Sequence, residues 1–348
     1  MEAEQTTPPR VRSVDVVIVN YNARDRLDAC LAAAQADGPG RLVVVDNASS
    51  DGSAEMVRQR FPGVVLHANT RNLGYGAAAN QGIASCSAEY VLLLNSDAVV
   101  TPGALQSLAA YLEGHPRAAV AGPRLVGSDG LLQVSWFPLW LPWLLLVRSA
   151  LMPWVGREWF WTDALGAESA SGRRFALAPA LRRRFVPRRW DAPARAVPWV
   201  LGAAMLLRRA AFEAAGRFDE AFFMYFEEVD LCLRLAALGW EVHFAPVTTV
   251  IHAGGTSTKQ RRTEMAGQYL SSTLLFYGRH YPGLRLGLLK LVVGAIAMRS
   301  WLADFCRSQR ARDSARRAQL EANVAVWQRL LRGAWNAVPT PPGCDRKF

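Results

Sequence analysis

The sequence has few cysteines, and they do not pair by spacing. Cys30, Cys86, Cys232, Cys306 and Cys344 are scattered over 348 residues with no CxxC. An odd, dispersed set argues against a disulfide framework and reads as reduced thiols, with Cys30, Cys86 and Cys232 packing as small apolar residues. Acid is also in short supply, at 29 Asp and Glu against 40 Lys and Arg, for a net charge of +11. That surplus favours anionic partners such as nucleotide diphosphates or anionic lipid headgroups. Nucleic acid ranks last, because no finger spacing or aromatic nucleic-acid motif accompanies the charge. Long apolar runs are missing too. The longest uncharged stretch, Gly130 to Val147, is broken by Pro138 and Pro142 and is short for a span of about 20 residues. Leu286 to Phe305 is interrupted by Lys290, Arg299 and Asp304. The polar opening MEAEQTTPPRVRS offers no secretory signal. A cytoplasmic protein is expected, with both stretches able to lie in a membrane interface.

What is present is the composition of a folded domain: 51% apolar and 20% charged residues. Val14–Val19, Leu42–Val45 and Tyr90–Leu94 are short apolar runs, each followed by turn residues and a helical pattern. Runs of this kind suit strands buried on both faces of a parallel sheet, and the βαβ succession predicts a doubly wound α/β domain. Thr101-Pro102 predicts a helix from Thr101 as N-cap to about Gly114. Between positions 136 and 195 the character changes. Six of the twelve tryptophans fall in Trp136–Trp161, and eight arginines against one acid fall in Arg173–Arg195. This is either an irregular packed insertion or a membrane-facing loop with aromatic anchors and a basic collar. The pattern resumes at Val197–Leu207, with a helix after Glu228. The expected layout is one domain over 14–282 and a basic helical region over 283–335.

Chemistry-bearing residues cluster where strands give way to loops, which is where open α/β sheets bind ligands. Asn20-Tyr21-Asn22 follows the first run, where a tyrosine could stack on a nucleobase. Asp46 begins DNASSDGS after the second run and could accept an imide N–H of a pyrimidine; taken alone, an Asx turn capping the next helix is the stronger reading. Asn72, Gly74 and Asn80 lie in NLGYGAAANQG, whose glycines let backbone approach a ligand and whose helix start favours phosphate. This is not GxGxxG after a first strand, which disfavours a dinucleotide-binding dehydrogenase. Asn95-Ser96-Asp97 ends the third run, and an acid there suits Mg²⁺ or Mn²⁺ on a diphosphate. Downstream, Glu227, Glu228 and Asp230 crowd beside Tyr225 and Phe226, where one can serve as a general base or all can serve the helix dipole. His252 closes an apolar run ahead of glycines and could complete a metal site.

In this order, strand-NYN, VVVDNASSDGS, NLGYGAAANQG, LLLNSDA, GAAMLLRR, FDEAFFMYFEEVDLCLR and VIHAGG, the motifs resemble family 2 glycosyltransferases of the GT-A fold. Within that family the chain looks most like the bacterial rhamnosyltransferase branch. The resemblance covers about Val14 to Pro282. It implies an inverting transferase in which Asp46 contacts the base beside Tyr21, with Asn20, Asn72, Gly74, Asn80 and Asn95 lining the donor site. Asp97 matches the last acid of the metal motif, whose earlier acid is here Asn95, and His252 matches a histidine of the metal shell. Glu228 stands where the catalytic base is more often Asp, which leaves Glu227, Glu228 and Asp230 in contention. The implied partners are a nucleotide-diphosphate sugar, most simply dTDP-L-rhamnose, and a saccharide or lipid-linked acceptor at the inner face of a bacterial membrane. Peripheral membrane contact and a homodimer remain open. The competing readings are an inactive nucleotide- or glycan-binding relative and a sugar nucleotidyltransferase, although NYNARD lacks the Gly-rich loop that the latter needs.

Overall fold

A computed structural model of the chain describes residues 13–137, 193–254 and 262–335. Most of the Trp- and Arg-rich insertion, and Cys344, lie outside the described residues. The three apolar runs are strands β1 (Val14–Asn20), β2 (Leu42–Asp46) and β4 (Tyr90–Asn95), with β3 (Val65–Ala68) between the last two. They are parallel, in the order β3-β2-β1-β4. The crossovers are α1 (Arg24–Ala36), α2 (Ser53–Arg60) and α3 (Tyr75–Ala84). Alternate residues of each strand enter different cores. Val17, Val19, Val43, Val45, Val91 and Leu93 face one, and Val16, Ile18, Leu42, Val44, Leu92 and Leu94 face the other. Both faces are covered, so the strands read as continuous apolar runs.

Beyond β4 the sheet becomes mixed. It continues through β11 (Ala204–Arg208), β6 (Ala118–Val126) and β12 (Glu241–His252) to β5 (Ala98–Val100). β11 runs antiparallel to both β4 and β6, whereas β12 is parallel to β6. Short pieces complete it: β7 (Leu132–Gln133) on β6, β9 (Arg195–Ala196) on β12, and a separate pair of β8 (Trp136–Phe137) with β10 (Trp199–Val200). The expected architecture, a mostly parallel α/β sheet flanked by helices, is what the chain forms.

The helix expected at Thr101 is α4 (Ala104–Gly114), but Thr101 does not cap it. The Thr101 hydroxyl donates to the Thr249 carbonyl at 2.8 Å, tying β12 to the loop. Asp37, at the end of α1, takes the N–H groups of Gly103 and Leu105 instead. A carboxylate from elsewhere in the chain satisfies the orphan donors as well as a local cap would. Among the described residues the remaining helices are α5 (Arg209–Ala214), α6 (Glu227–Ala237), α7 (Arg262–His280), α8 (Leu284–Arg310) and α9 (Ser314–Trp335). The last two form the expected C-terminal helical region. α7 was not expected, and it turns out to bear on the site.

Candidate active site

Asn20, Asp46 and Asn95 are the last residues of β1, β2 and β4, so the parallel register brings them to one edge of the sheet. Asp46 is 2% exposed, and its carboxylate is oriented from two sides. Asn20 donates to one oxygen at 2.9 Å, and the Ser49 backbone N–H donates to the other at 3.0 Å. Asn20 is wholly buried, so it positions Asp46 rather than meeting solvent. Each carboxylate oxygen keeps a lone pair for a further donor. Tyr21, which follows Asn20 along the chain, is half-buried.

The loop before α3 is shaped by amides. Asn47 donates to Asn72 Oδ1 at 2.9 Å and to the Gly74 carbonyl at 3.0 Å, while Asn72 Oδ1 also accepts the Gly74 N–H. Gly74 has φ +87°, and a Cβ there would strike the backbone of Phe223. The close backbone approach expected of this glycine is therefore to the chain's own loop. The Tyr75 N–H donates to the Phe223 carbonyl at 2.7 Å, fastening the same crossing. Asn80 is also occupied internally, donating to the Phe218 carbonyl and Glu220 and accepting the Phe218 N–H. It ties α3 to the segment that leads into α6.

That segment ends in strain. Tyr225 and Phe226 have φ of +68° and +71°, a left-handed pair without glycine immediately before Glu227. Such backbone costs of order 1–3 kcal/mol per residue and persists only when its surroundings fix it. Helix α7 does so. Ser272 donates to the Met224 carbonyl at 2.7 Å, Tyr269 lies against both strained rings, and Phe276 packs 5.1 Å from Phe226. Arg279 pairs with Asp219, and His280 lies 2.7 Å from Asp230.

The three acids thus have different surroundings. Asp230 is 2% exposed, with one oxygen on His280 and the other accepting from Arg234 at 2.8 Å. Glu227 is buried, and its Oε2 has no hydrogen-bond partner among the described residues. Burial, and then the neighbouring Glu228 charge, push its carboxyl well above the usual range. Glu228 is half-buried beside Gly202. Burial pushes it up to about 7, against opposing backbone N–H donors that include Gly202. The Tyr75 hydroxyl donates to the Gly202 carbonyl at 3.1 Å. Burial raises the Tyr75 phenol, and the charges of Glu227, Glu228 and Asp97 add to the effect, so all four share one electrostatic neighbourhood.

Asp97 lies between β4 and β5, and β12 ends on it: His252 Nε2 is 3.4 Å from Asp97 Oδ1. Burial raises the Asp97 carboxyl, but His252 and Arg26 outweigh that and leave it below the ordinary value. Gln133 holds His252 from behind, its Oε1 lying 2.9 Å from Nδ1 and its Nε2 donating to the His252 carbonyl at 2.8 Å. Among the described residues no third His, Cys, Asp or Glu joins this pair. One carboxylate and one imidazole nonetheless fit Mg²⁺ or Mn²⁺, which complete their shells with phosphate oxygens and water. Sequence reasoning missed Gln133, Arg26 and the α7 residues. None carries a local signal, because each acts through a partner far away in sequence. Gly202 was visible as the first residue of GAAMLLRR.

Residues 15–163 match the model of glycosyl transferase family 2, and residues 183–310 that of glycosyl transferase family group 2. The chain is 30% identical over 322 residues to the N-acetylglucosaminyl-diphospho-decaprenol L-rhamnosyltransferase of Mycobacterium tuberculosis, covering 88% of this chain and 96% of that one. It is 34% identical over 83 residues to the rhamnosyltransferase WbbL of Escherichia coli, 24% of this chain and 31% of that one. Among solved structures it is similar to the mannosyltransferase PcManGT from Pyrobaculum calidifontis in complex with GDP-Man and Mn²⁺. That match has a TM-score of 0.46 and 16% identity, and covers 94% of this chain and 87% of the other.

Proposed function

The chain belongs to glycosyltransferase family 2, and from that premise we propose that it moves L-rhamnose from dTDP-L-rhamnose to a lipid-linked saccharide, with inversion at the anomeric carbon. The observation that carries this reading is the match to the mycobacterial rhamnosyltransferase over 96% of its length. The acceptor named for that relative is a saccharide on a diphospho-decaprenol, which supports a membrane-borne acceptor for this chain and a reaction at the cytoplasmic face of that membrane.

The residues divide the work. Asp46, oriented by Asn20 and Ser49, accepts the imide N–H of the pyrimidine, with Tyr21 beside the ring. Asp97 and His252 would hold Mg²⁺ or Mn²⁺ on the diphosphate. When bound, the ion supplies positive charge that stabilises the departing nucleoside diphosphate. Glu228 takes the proton of the acceptor hydroxyl as that oxygen attacks the sugar. Its raised carboxyl keeps it basic enough for this near neutral pH. Glu228 is favoured over Asp230, whose two oxygens are already taken, and over the more deeply buried Glu227. The alignment of α6 rests on the strained Tyr225–Phe226 corner and on α7.

A panel of nucleotide sugars tested by thermal shift, with Mn²⁺ or with EDTA, checks the donor assignment. The largest rise in melting temperature should come with dTDP-L-rhamnose plus Mn²⁺. A larger rise with a UDP- or GDP-sugar would overturn the choice of donor and leave the family intact.

A further inference from the structure

Helix α8 carries a second feature, made of residues that take no part in the assigned sugar transfer. Leu284, Leu288, Leu291, Ala295, Met298, Leu302 and Phe305 are all exposed among the described residues. Their spacing alternates four and three without a break, so they form one straight stripe along the helix. At 1.5 Å per residue the stripe is about 32 Å long. Leu284 is 80% exposed and Leu291 58%, well beyond what a scattered surface leucine shows. The opposite face is spoken for, because Leu289, Val293 and Ala297 are buried in the core that also holds Trp327 and Leu330 of α9.

Charge selects the occupant. Arg285, Lys290, Arg299, Arg307 and Arg310 line the same helix, and its one acid, Asp304, is fully buried, accepting from Trp327 Nε1 at 3.1 Å. A second copy laid along the stripe would bring these cations together, which disfavours a homodimer here. An anionic bilayer would meet both the stripe and its basic flanks. A transmembrane course is disfavoured although α8 is long and apolar enough to cross. α9 is packed on its back and exposes Arg316, Arg317 and Arg329, which would have to enter hydrocarbon.

We propose that the α8 stripe is a membrane-docking surface that lies in the plane of an anionic leaflet, its leucines immersed and its arginines and Lys290 among the headgroups. Trp301 stacks on Phe305 at 5.5 Å and holds that exposed ring from the protein side. This surface does not depend on which sugar is transferred.

The test is co-sedimentation of the full chain with phosphatidylglycerol vesicles and with phosphatidylcholine vesicles, at low and high salt. The wild type is set beside the triple variant Leu288→Glu, Leu291→Glu and Leu302→Glu. All three side chains are exposed, and an unchanged melting temperature shows that the variant folds. Wild-type binding should need phosphatidylglycerol, weaken with salt and fall about tenfold or more in the variant. Equal binding by the variant would overturn the proposal and point to another surface, the tryptophan-rich segment at 138–161 included. Failure of the wild type to bind, or a wild-type dimer in sedimentation velocity that the variant converts to monomer, would overturn it as well. The dimer result would assign the stripe to a second copy.

Discussion

Replacing Gly74 by alanine should cost turnover as well as stability. A Cβ at this position would lie 2.8 Å from Phe223 Cα and 2.9 Å from its carbonyl carbon, and nearer still to the carbonyl oxygen. Ordinary contact begins near 3.4 Å, so the Phe223 backbone must retreat by about 0.6 Å or more. The residue itself sits at φ +87°, ψ 173°, a conformation nearly restricted to glycine that costs another residue about 1–3 kcal/mol. At about 2–4 °C per kcal/mol for a chain of moderate size, the melting temperature should fall by roughly 2–12 °C. Phe223 is four residues before Glu227, and the corner between them is already strained. Displacement there moves the start of α6 and the carboxylate of Glu228. A misplacement of about 1 Å at a reacting group can cost a hundredfold, so kcat should drop by about ten- to a hundredfold. Nucleoside-diphosphate release measures kcat, and differential scanning fluorimetry measures the melt. Gly114→Ala, where a Cβ meets nothing within 4 Å, serves as the control and should leave both unchanged. Wild-type kcat in a folded Gly74→Ala protein would refute the claim that the Phe223 crossing sets the position of the base.

Two further outcomes follow from the buried charges. Asp97→Ala should abolish turnover stimulated by Mg²⁺ or Mn²⁺ while leaving the chain folded; a wild-type enzyme fully active in EDTA would contradict the metal assignment. Glu227→Gln should stabilise the protein in a pH-dependent way. The folded carboxyl titrates above its unfolded value, so the native state holds its proton longer and wild-type stability falls as pH rises between the two. The variant escapes this loss. Its advantage in melting temperature should be absent at acid pH, below the unfolded value, and grow toward neutral and alkaline pH; an advantage independent of pH would count against a buried carboxyl held above its unfolded value.

The strands and the residues at their ends were legible in the sequence because β1, β2 and β4 are buried on both faces and therefore read as unbroken apolar runs. Asn20, Asp46 and Asn95 stand one residue beyond those runs, and that is why they reach the same edge. The mixed half of the sheet was harder to read. β12 begins at Glu241, six residues before the apolar run Val247–Ile251 that marked it, because its first half lies beside β6 and β9 in a mixture of polar and apolar residues. The cap of α4 was misassigned to Thr101 because Asp37 is 66 residues from Gly103 in sequence, beyond any local pattern. The same limit hid α7. Its sequence, RTEMAGQYLSSTLLFYGRH, carries no catalytic signature, and its role depends on Ser272, Tyr269 and His280 meeting residues that lie 43 to 50 positions earlier. Asp230 shows the converse. In sequence it stood in contention with Glu227 and with the favoured Glu228, and its bonds to His280 and Arg234 are what no local pattern could show.

The account turns on Glu228 removing a proton from an acceptor hydroxyl while rhamnose leaves a nucleoside diphosphate. The direct measurement is transfer from dTDP-L-rhamnose to a polyprenyl-diphospho-N-acetylglucosamine acceptor with Mn²⁺, followed across pH for the wild type and for Glu228→Gln. Wild-type kcat/KM, which reports the free enzyme, should rise with pH through a limb near 7, where this carboxyl gives up its proton. Glu228→Gln should lose about a hundredfold or more in kcat, lack that limb and bind donor as tightly as the wild type. Wild-type turnover by Glu228→Gln, or an unchanged limb at a rate lowered only through donor binding, would contradict the account.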